Sequence, residues 1–547
     1  MVETEEKLET IEVVKRNGKK VEFDGTKVAI AIKKGFDSVL LDSEENEKKY
    51  NTKDIQKVYQ AVIKKIAKDY LPLGKIKIEE IQDLIEENLK KYDYQDVYES
   101  FSEYRQRRAN ARIAFRDDKN IAKLQKSIEG LGLKSAAEED SKRENANIDG
   151  NTAMGTMLQF GSTISRAFTE AYLMKKKYAE AHSNGDIHIH DMDFEAMGTT
   201  TCTQIDLSKL FKNGFSTGHG FLREPKDIIS YAALAAIAIQ SNQNDQHGGQ
   251  SIPAFDYYMA PGVLKTFKKQ YKQAVYELLD FSDFISFINM DRVEKEIDKL
   301  TSIDVDTKVF EGIYKDSTEV KKIFEKGYET AYKKTNRQTY QAMEAFIHNL
   351  NTMHSRAGAQ VPFSSVNFGT DTSPEGRMVI KNVLLAQEAG LGNGETPIFP
   401  IHIFKIKEGI NYNKDDINYD LFKLACRVSA KRLFPNFSFL DAPYNLQYYK
   451  EGDYNTEVAY MGCRTRVIGN VYDPTREIVT GRGNLSFTSI NLPRLAIKAD
   501  HNVGAFFDML DEMMDLTIEQ LLHRFKIQSQ KKVRNFPFLM GQGVWID

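Results

Sequence analysis

The sequence predicts an α/β protein in two parts, a small, mainly helical module followed by a large α/β domain. Two observations carry this reading. After about residue 144, helical patterns alternate repeatedly with short strand-like runs, which argues for an α/β architecture without specifying a strand count. Before that, the chain reads hairpin, helix, helix, helix, a self-contained module. At 547 residues the chain is long enough for a large core and more than one domain.

Composition excludes several classes. Charged residues make up 28% and nearly cancel, leaving a net charge of -3, so no concentrated basic face calls for a nucleic-acid partner. The acidic start MVETEEKLET has no apolar run of a signal peptide, and the longest small-apolar run, Ala232–Ile239, is too short to span a bilayer. Three separated cysteines, Cys202, Cys426 and Cys463, with no CxxC pair, exclude a disulfide scaffold or a cysteine-rich zinc site within these residues. They suit a reducing cytoplasm.

In the first module, a β-type run at Ile11–Val14 leads through Asn17-Gly18, a two-residue hairpin signal, to VEF. Asp24 stands where a helix N-cap belongs, Val28, Ala31 and Ile32 share a face, and Gly35 reads as the stop. Helical patterns follow at Thr52–Asp69, Ile78–Lys91 and Asp96–Arg116. Lys15 and Arg16 at the hairpin and Lys27 in the first helical turn make a cationic set beside helix N-terminal amides, suited to a polyphosphate; simple solvation is the competing reading. No GxxxxGK[ST] loop is present, so hydrolysis of ATP by that route is not indicated. Residues 117–150 are charged and read as an exposed connector.

In the larger part, SNGDIHIHDMDF puts His188 and His190 at i and i+2, on one face if Ile187–Ile189 is a strand. Such a pair, with Asp191 and Asp193 nearby, has the residue types of metal ligands, although a bare H-x-H is common. Cys202 falls in the threonine-rich MGTTTCTQIDL, an extended segment in which a thiol is ordinarily buried and inert. QSNQNDQHGGQSIPAFDYYMAPGV reads as a polar, glycine-rich loop ahead of a long helix over Leu264–Ile285. Cys426, among Leu421, Leu424, Val428 and Leu433 of a helical stripe, reads as core.

The stretch YMGCRTRVIGNVYDPTREIVTGRGNLSFTSINLPR is different in kind. Gly469, Asn470, Asp473, Pro474, Gly481 and Gly483 punctuate it, and Cys463 stands beside Gly462 at a loop tip, not at a small core position. NLSFTSINLP alternates as a buried strand does. From residue types alone, Cys463 is equally a reactive or an inert thiol.

MGCRT followed by GNLSFTSINLPRLA resembles the cysteine finger loop and following strand of the anaerobic (class III) ribonucleoside-triphosphate reductases. VVKRNGKKVEFDGTKVAIAIKKGF resembles the opening of an ATP-cone, the regulatory nucleotide-binding domain of ribonucleotide reductases, and from ENANIDGNTAMGTMLQF onward the likeness to the catalytic domain is nearly continuous. The resemblance implies a tail at 1–10, an ATP-cone at 11–108, a helical connector at 109–143 and a reductase barrel at 144–547. That barrel would be ten-stranded, of the glycyl-radical and ribonucleotide reductase type, with the Cys463 loop through its centre.

Site roles follow from the same resemblance. Cys463 would carry the thiyl radical, Cys202 would face it across the substrate, Asn484 would hold the ribose hydroxyls, and Met461 would contact the thiol sulfur. His188 and His190 would form a polar wall beside the ribose, with no metal, and Val14, Lys15, Arg16 and Lys27 would bind ATP or dATP as allosteric effectors. Asn484, Met461 and the lack of a second finger-loop cysteine match the subgroup that uses formate as reductant. Implied partners are ribonucleoside triphosphates, a radical-SAM iron–sulfur activase and a second copy in a homodimer. The family's four-cysteine zinc site and glycyl-radical loop are not found in this sequence, so the expectation is an N-terminal portion of a longer enzyme, catalytically silent by itself. Two other readings remain: a pyruvate formate-lyase-like radical enzyme, disfavoured by the missing adjacent cysteines, and a nucleotide-binding regulator without catalysis.

Overall fold

The computed structural model describes residue 8, residues 10–15, 18–39, 50–114 (side chains through 106), 152–282, 284–314, 317–462, 465–467, 469–470, 473–476 and 478–546. The chain divides into two compact units, one of Met1–Lys126 with Ala167–Glu180, the other of Ser127–Arg166 with Ala181–Asp547.

In the first unit, strands β1 (Glu12–Val14) and β2 (Lys20–Glu22) pair antiparallel, as the hairpin signal predicts, with Gly18 in the left-handed region at φ +79°. Asp24 accepts from the Thr26 amide at 3.0 Å and opens helix α1 (Gly25–Val39). Val28, Ile32 and Phe36 form its buried stripe. Gly35 does not stop this helix. It lies buried inside it, facing Phe101 and Val97 of the fourth helix at ordinary van der Waals distance. Helix α2 (Thr52–Asp69) starts in a capping box between Asn51 and Asp54, and it packs on α1 and on helix α3 (Ile78–Lys91). Strand β3 (Lys75–Lys77), which sequence reasoning does not anticipate, pairs parallel to β1, and helix α4 (Gln95–Ala114) follows.

The second unit is built on a six-stranded sheet among the described residues. In chain order its neighbourhood contains β4 (Ile187–Ile189), β5 (Cys202–Gln204), α5 (Ile228–Asn242), β6 (Gln250–Ile252), α6 (Phe255–Phe281), α7 (Thr318–Thr352), β7 (Ser364–Phe368), α8 (Pro374–Ala389), β8 (Ile401–Ile406), α9 (Tyr419–Arg432), β9 (Asn436–Phe439), β10 (Tyr460–Met461), β11 (Thr465–Arg466), β12 (Gly483–Asn484), β13 (Thr488–Ile490) and α10 (Val503–Ser529). The sheet order is β9-β8-β7-β6-β5-β12; the first five strands run parallel, and β12 closes on β5 antiparallel. Two-stranded pairs form between β13 and β4 and between β10 and β11. The α/β class is as the sequence predicts; among the described residues this sheet holds six strands.

Strand periodicity explains the two faces of this sheet. Val366, Phe368, Phe404 and Ile406 point into the core packed by α5 through α9, together with Phe255, Phe267, Phe346 and Val383. Ser251, Ser365, Asn367 and Lys405, at the alternate positions, line the opposite face and are also fully buried. A parallel strand covered on both sides is ordinarily apolar on both. The polar inner face therefore needs a polar occupant.

Three expectations are corrected here. Cys426 is exposed rather than core, because it lies five residues beyond Leu421 and so well round the helix from the stripe. The segment read as one glycine-rich loop is the end of α5, strand β6 and the start of α6, which runs from Phe255 through Pro261. Of NLSFTSINLP only Thr488–Ile490 is paired outside β12, and it is half-exposed: its partner β4 covers one edge and leaves Ser489 open.

Candidate active site

The occupant of the polar face is the strand leading into the Cys463 turn. Tyr460 donates its amide to Asn367 Oδ1 at 2.9 Å, and its carbonyl accepts from Ser251 Oγ at 2.8 Å and Asn367 Nδ2 at 3.0 Å. Gln204 Nε2 donates to the Ala459 carbonyl at 3.0 Å, and the Gly462 amide donates to Ser365 Oγ at 3.2 Å. Side chains from β5, β6 and β7 thus take the place of a neighbouring strand and satisfy the backbone of β10 inside the fold. Below this clamp, Lys405 and Glu457 form an ion pair of 2.9 Å, with 1% and 3% of their side chains exposed, and Thr370 Oγ1 donates to the same carboxylate at 2.8 Å.

Cys202, Met461 and Val467 form one buried cluster at this clamp. Met461 pairs with Thr465 across the hairpin, so the connection between β10 and β11 consists of residues 462–464. Cys463 itself lies outside the described residues. Asn484 stands directly opposite Cys202 in the β12–β5 register, with the Thr201 amide donating to the Asn484 carbonyl at 3.0 Å. Cys202, Met461 and Asn484, up to 282 positions apart in sequence, are brought to one end of the inner face.

His188 and His190 do share a face, their rings 4.6 Å apart. His188 pairs with Ser489 in the β4–β13 register, and His190 Nε2 meets Ser489 Oγ at 2.8 Å. Burial and the charge of His188 hold the His190 imidazole below its ordinary range. Among the described residues no group of His, Cys, Asp and Glu is arranged to hold a metal ion.

Sequence reasoning misses the supports of this wall. On α10, Gln520, Arg524 and Gln528 follow at four-residue spacing and are buried. Gln520 accepts from Thr488 Oγ1 at 2.7 Å. Arg524 Nη1 donates to the His190 carbonyl at 2.6 Å, and Gln528 Nε2 joins the Thr199 and Leu485 carbonyls at 2.9 Å each, just before Cys202 and just after Asn484. His247 accepts or donates at Thr199 Oγ1 at 2.6 Å, and burial keeps it well below its ordinary range and therefore neutral. Glu195, 1% exposed, has no hydrogen bond on either oxygen, and burial pushes its carboxyl up to about 7 against the pull of Arg524. The one available signal was the unusual polarity of the strands, SSVN in β7 and QS in β6.

In the first unit, Lys15 is exposed at the end of β1, its amide donating to the Lys19 carbonyl at 2.8 Å, with Val14 half-buried beside it. Lys27 sits in the first turn of α1, 2.9 Å from Asp24, whose carboxyl that hydrogen bond holds below its usual range. Arg16 lies outside the described residues. Both described lysines are exposed, and the Lys27 ammonium is shared with the Asp24 carboxylate.

A family model described as "Anaerobic ribonucleoside-triphosphate reductase" matches residues 144–547, and one described as "ATP cone domain" matches residues 11–110. The anaerobic ribonucleoside-triphosphate reductase of Haemophilus influenzae is 28% identical over 533 residues, covering 97% of this chain and 65% of that protein. Its counterpart in Enterobacteria phage T4 is 30% identical over 433 residues, 77% of this chain and 62% of that protein. The chain thus spans somewhat under two thirds of the length of these relatives. Among solved structures, the anaerobic ribonucleotide reductase from Thermotoga maritima in complex with dATP and CTP is similar at 13% identity and a TM-score of 0.48, covering 78% of this chain and 65% of that one. No helix among the described residues is long and apolar enough to cross a membrane.

Proposed function

Because the chain belongs to the anaerobic ribonucleoside-triphosphate reductase family, we propose that it supplies the greater part of a catalytic domain that reduces ribonucleoside triphosphates to 2′-deoxyribonucleoside triphosphates, under control of an ATP-cone at residues 11–108. What supports this most is the meeting of Cys202, Asn484 and Met461 beside the hairpin that contains Cys463.

The ribose C2′–O bond is not activated for acid–base chemistry, whereas a radical at C3′ makes loss of the 2′-hydroxyl as water feasible. In this reading Cys463, as a thiyl radical, takes the C3′ hydrogen and becomes a thiol, S–H and ribose C–H bonds being of comparable strength. Cys202 gives a hydrogen to the other side of the ring as water departs. Asn484 donates to and accepts from the ribose hydroxyls and cannot act as a carboxylate base. His188 and His190 border the ribose as a polar wall, and the surrounding protein excludes water and orients the sugar. With formate as reductant the balance is complete: ribonucleotide, formate and one proton give deoxyribonucleotide, carbon dioxide and water. A glycyl radical generated by a radical-SAM activase is the proposed store of the unpaired electron.

Lys15, Arg16 and Lys27, with Val14 beside them, are proposed to hold the phosphates of ATP and dATP at the hairpin and the N-terminus of α1. The exposed side chains of Lys15 and Lys27 support this reading, Lys27 exchanging its Asp24 partner for a phosphate. Overall activity is then set by two nucleotides that favour different global states, in an enzyme that acts as a homodimer.

The test is Cys463→Ala in the radical-activated full-length enzyme supplied with isotopically labelled formate. Deoxynucleotide and labelled carbon dioxide should both fall to background while substrate still binds. Undiminished turnover removes Cys463 from the mechanism, and turnover on thioredoxin without formate removes formate.

A further inference from the structure

We propose that Gly249 is a positioning residue, acting through a backbone-to-backbone contact with Gly462, the residue before Cys463, that sets how closely the end of β10 approaches the strand of Cys202. The inference rests on the role proposed above for Cys463.

The two glycines of the HGGQ sequence are glycine for different reasons. Gly248 has φ +77°, a conformation that side chains rarely adopt. Gly249 lies outside the left-handed region, so its conformation does not demand glycine. Its neighbour does. A Cβ built on Gly249 falls 2.6 Å from Gly462 Cα and 2.9 Å from Gly462 N, both backbone atoms with no rotamer to escape into. The contact is reciprocal: a Cβ on Gly462, itself at φ +47°, would lie 3.0 Å from Gly249 Cα and 3.2 Å from the Phe363 ring.

Gly249 is also the less movable of the pair. Its carbonyl accepts from the Thr203 amide at 3.2 Å and from Gln246 Nε2 at 3.0 Å, and Gln246 is held in turn by Asn242 Nδ2 at 3.0 Å. Thr203 follows Cys202 in β5. Gly249 is thereby tied to the strand of one candidate cysteine and touches the residue before the other. An added methyl group at 249 must push Gly462 away, stretching its 3.2 Å hydrogen bond to Ser365, by about 1 Å; a misplacement of that size can cost on the order of a hundredfold in rate.

The experiment is steady-state kinetics of Gly249→Ala in the radical-activated full-length enzyme, with Gly392→Ala, where an added Cβ meets open space, as control. Expected for Gly249→Ala is a kcat reduced about a hundredfold with KM within about twofold, and for Gly392→Ala no change. An unchanged kcat overturns the proposal, as does a loss in which KM rises in step with any fall in kcat. Should Gly249→Ala not accumulate as folded protein, Ser365→Ala reads the same turn without adding atoms: a lower kcat at constant KM supports the proposal, and wild-type kcat overturns it. Full turnover by Cys463→Ala would instead sink the functional reading itself, whereas a dead Cys463→Ala beside a fully active Gly249→Ala sinks only the positioning role.

Discussion

Replacing Lys405 by Met tests whether the base of the Cys463 hairpin is held electrostatically. Lys405 points from β8 into the polar inner face and pairs at 2.9 Å with Glu457, three residues before Tyr460, and both side chains are almost wholly buried. Methionine keeps most of the stem volume and removes the charge. Glu457 then keeps the Thr370 hydroxyl at 2.8 Å as a donor and stays shut away from water. Removing one partner of a buried pair costs about 3–5 kcal/mol, mainly as the price of the stranded charge. Unfolding entropy near 2.1 cal/mol/K per residue, over a unit of roughly 400 residues, converts this to a fall in Tm of about 4–6 °C. Replacing both partners, as Lys405→Met with Glu457→Leu, removes the stranded charge and should recover most of the loss. Calorimetric melting of wild type, both single variants and the double variant provides the cycle. A Lys405→Met protein that melts within about 1 °C of wild type, or a double variant as unstable as the worse single one, refutes the electrostatic account.

Two further outcomes follow from other sites. Glu195 has its carboxyl raised by burial from 4.5 to about 7, so the folded form holds a proton that the unfolded form releases between these values. Stability should therefore decline as pH rises through about 4.5 to 7, by about 3 kcal/mol in all; Glu195→Gln should flatten this slope and melt higher than wild type at pH 8, and identical pH profiles would contradict it. In the first unit, Lys27→Ala should weaken ATP and dATP binding to the chain about tenfold by calorimetry, because it removes a cation from the N-terminal turn of α1; unchanged affinity would take Lys27 out of the nucleotide site.

The sequence by itself determined what depends on neighbours a few positions away. Thr52–Asp69 and Ile78–Lys91 are helices as read because capping and a 3.6-residue apolar period are local properties, and Asn17-Gly18 marks a hairpin for the same reason. The likeness of MGCRT to a finger loop likewise singled out Cys463 and Asn484 without any coordinates. Only the tertiary structure decided what those residues meet. Gly35 looked like a helix stop because no local pattern discloses that the helix continues on a face buried against Val97 and Phe101, and Cys426 looked buried because a stripe names a face without saying how far cover extends round the helix. Ser251, Ser365, Asn367 and Lys405 gain their roles only where the chain over residues 457–462 lies across them and uses each as a hydrogen-bonding or charge partner. The pairing of Asn484 with Cys202 and the contact of Gly249 with Gly462 join positions more than two hundred residues apart. Such contacts arise only when a chain satisfies its buried polar groups in three dimensions, and no periodicity along one dimension encodes them.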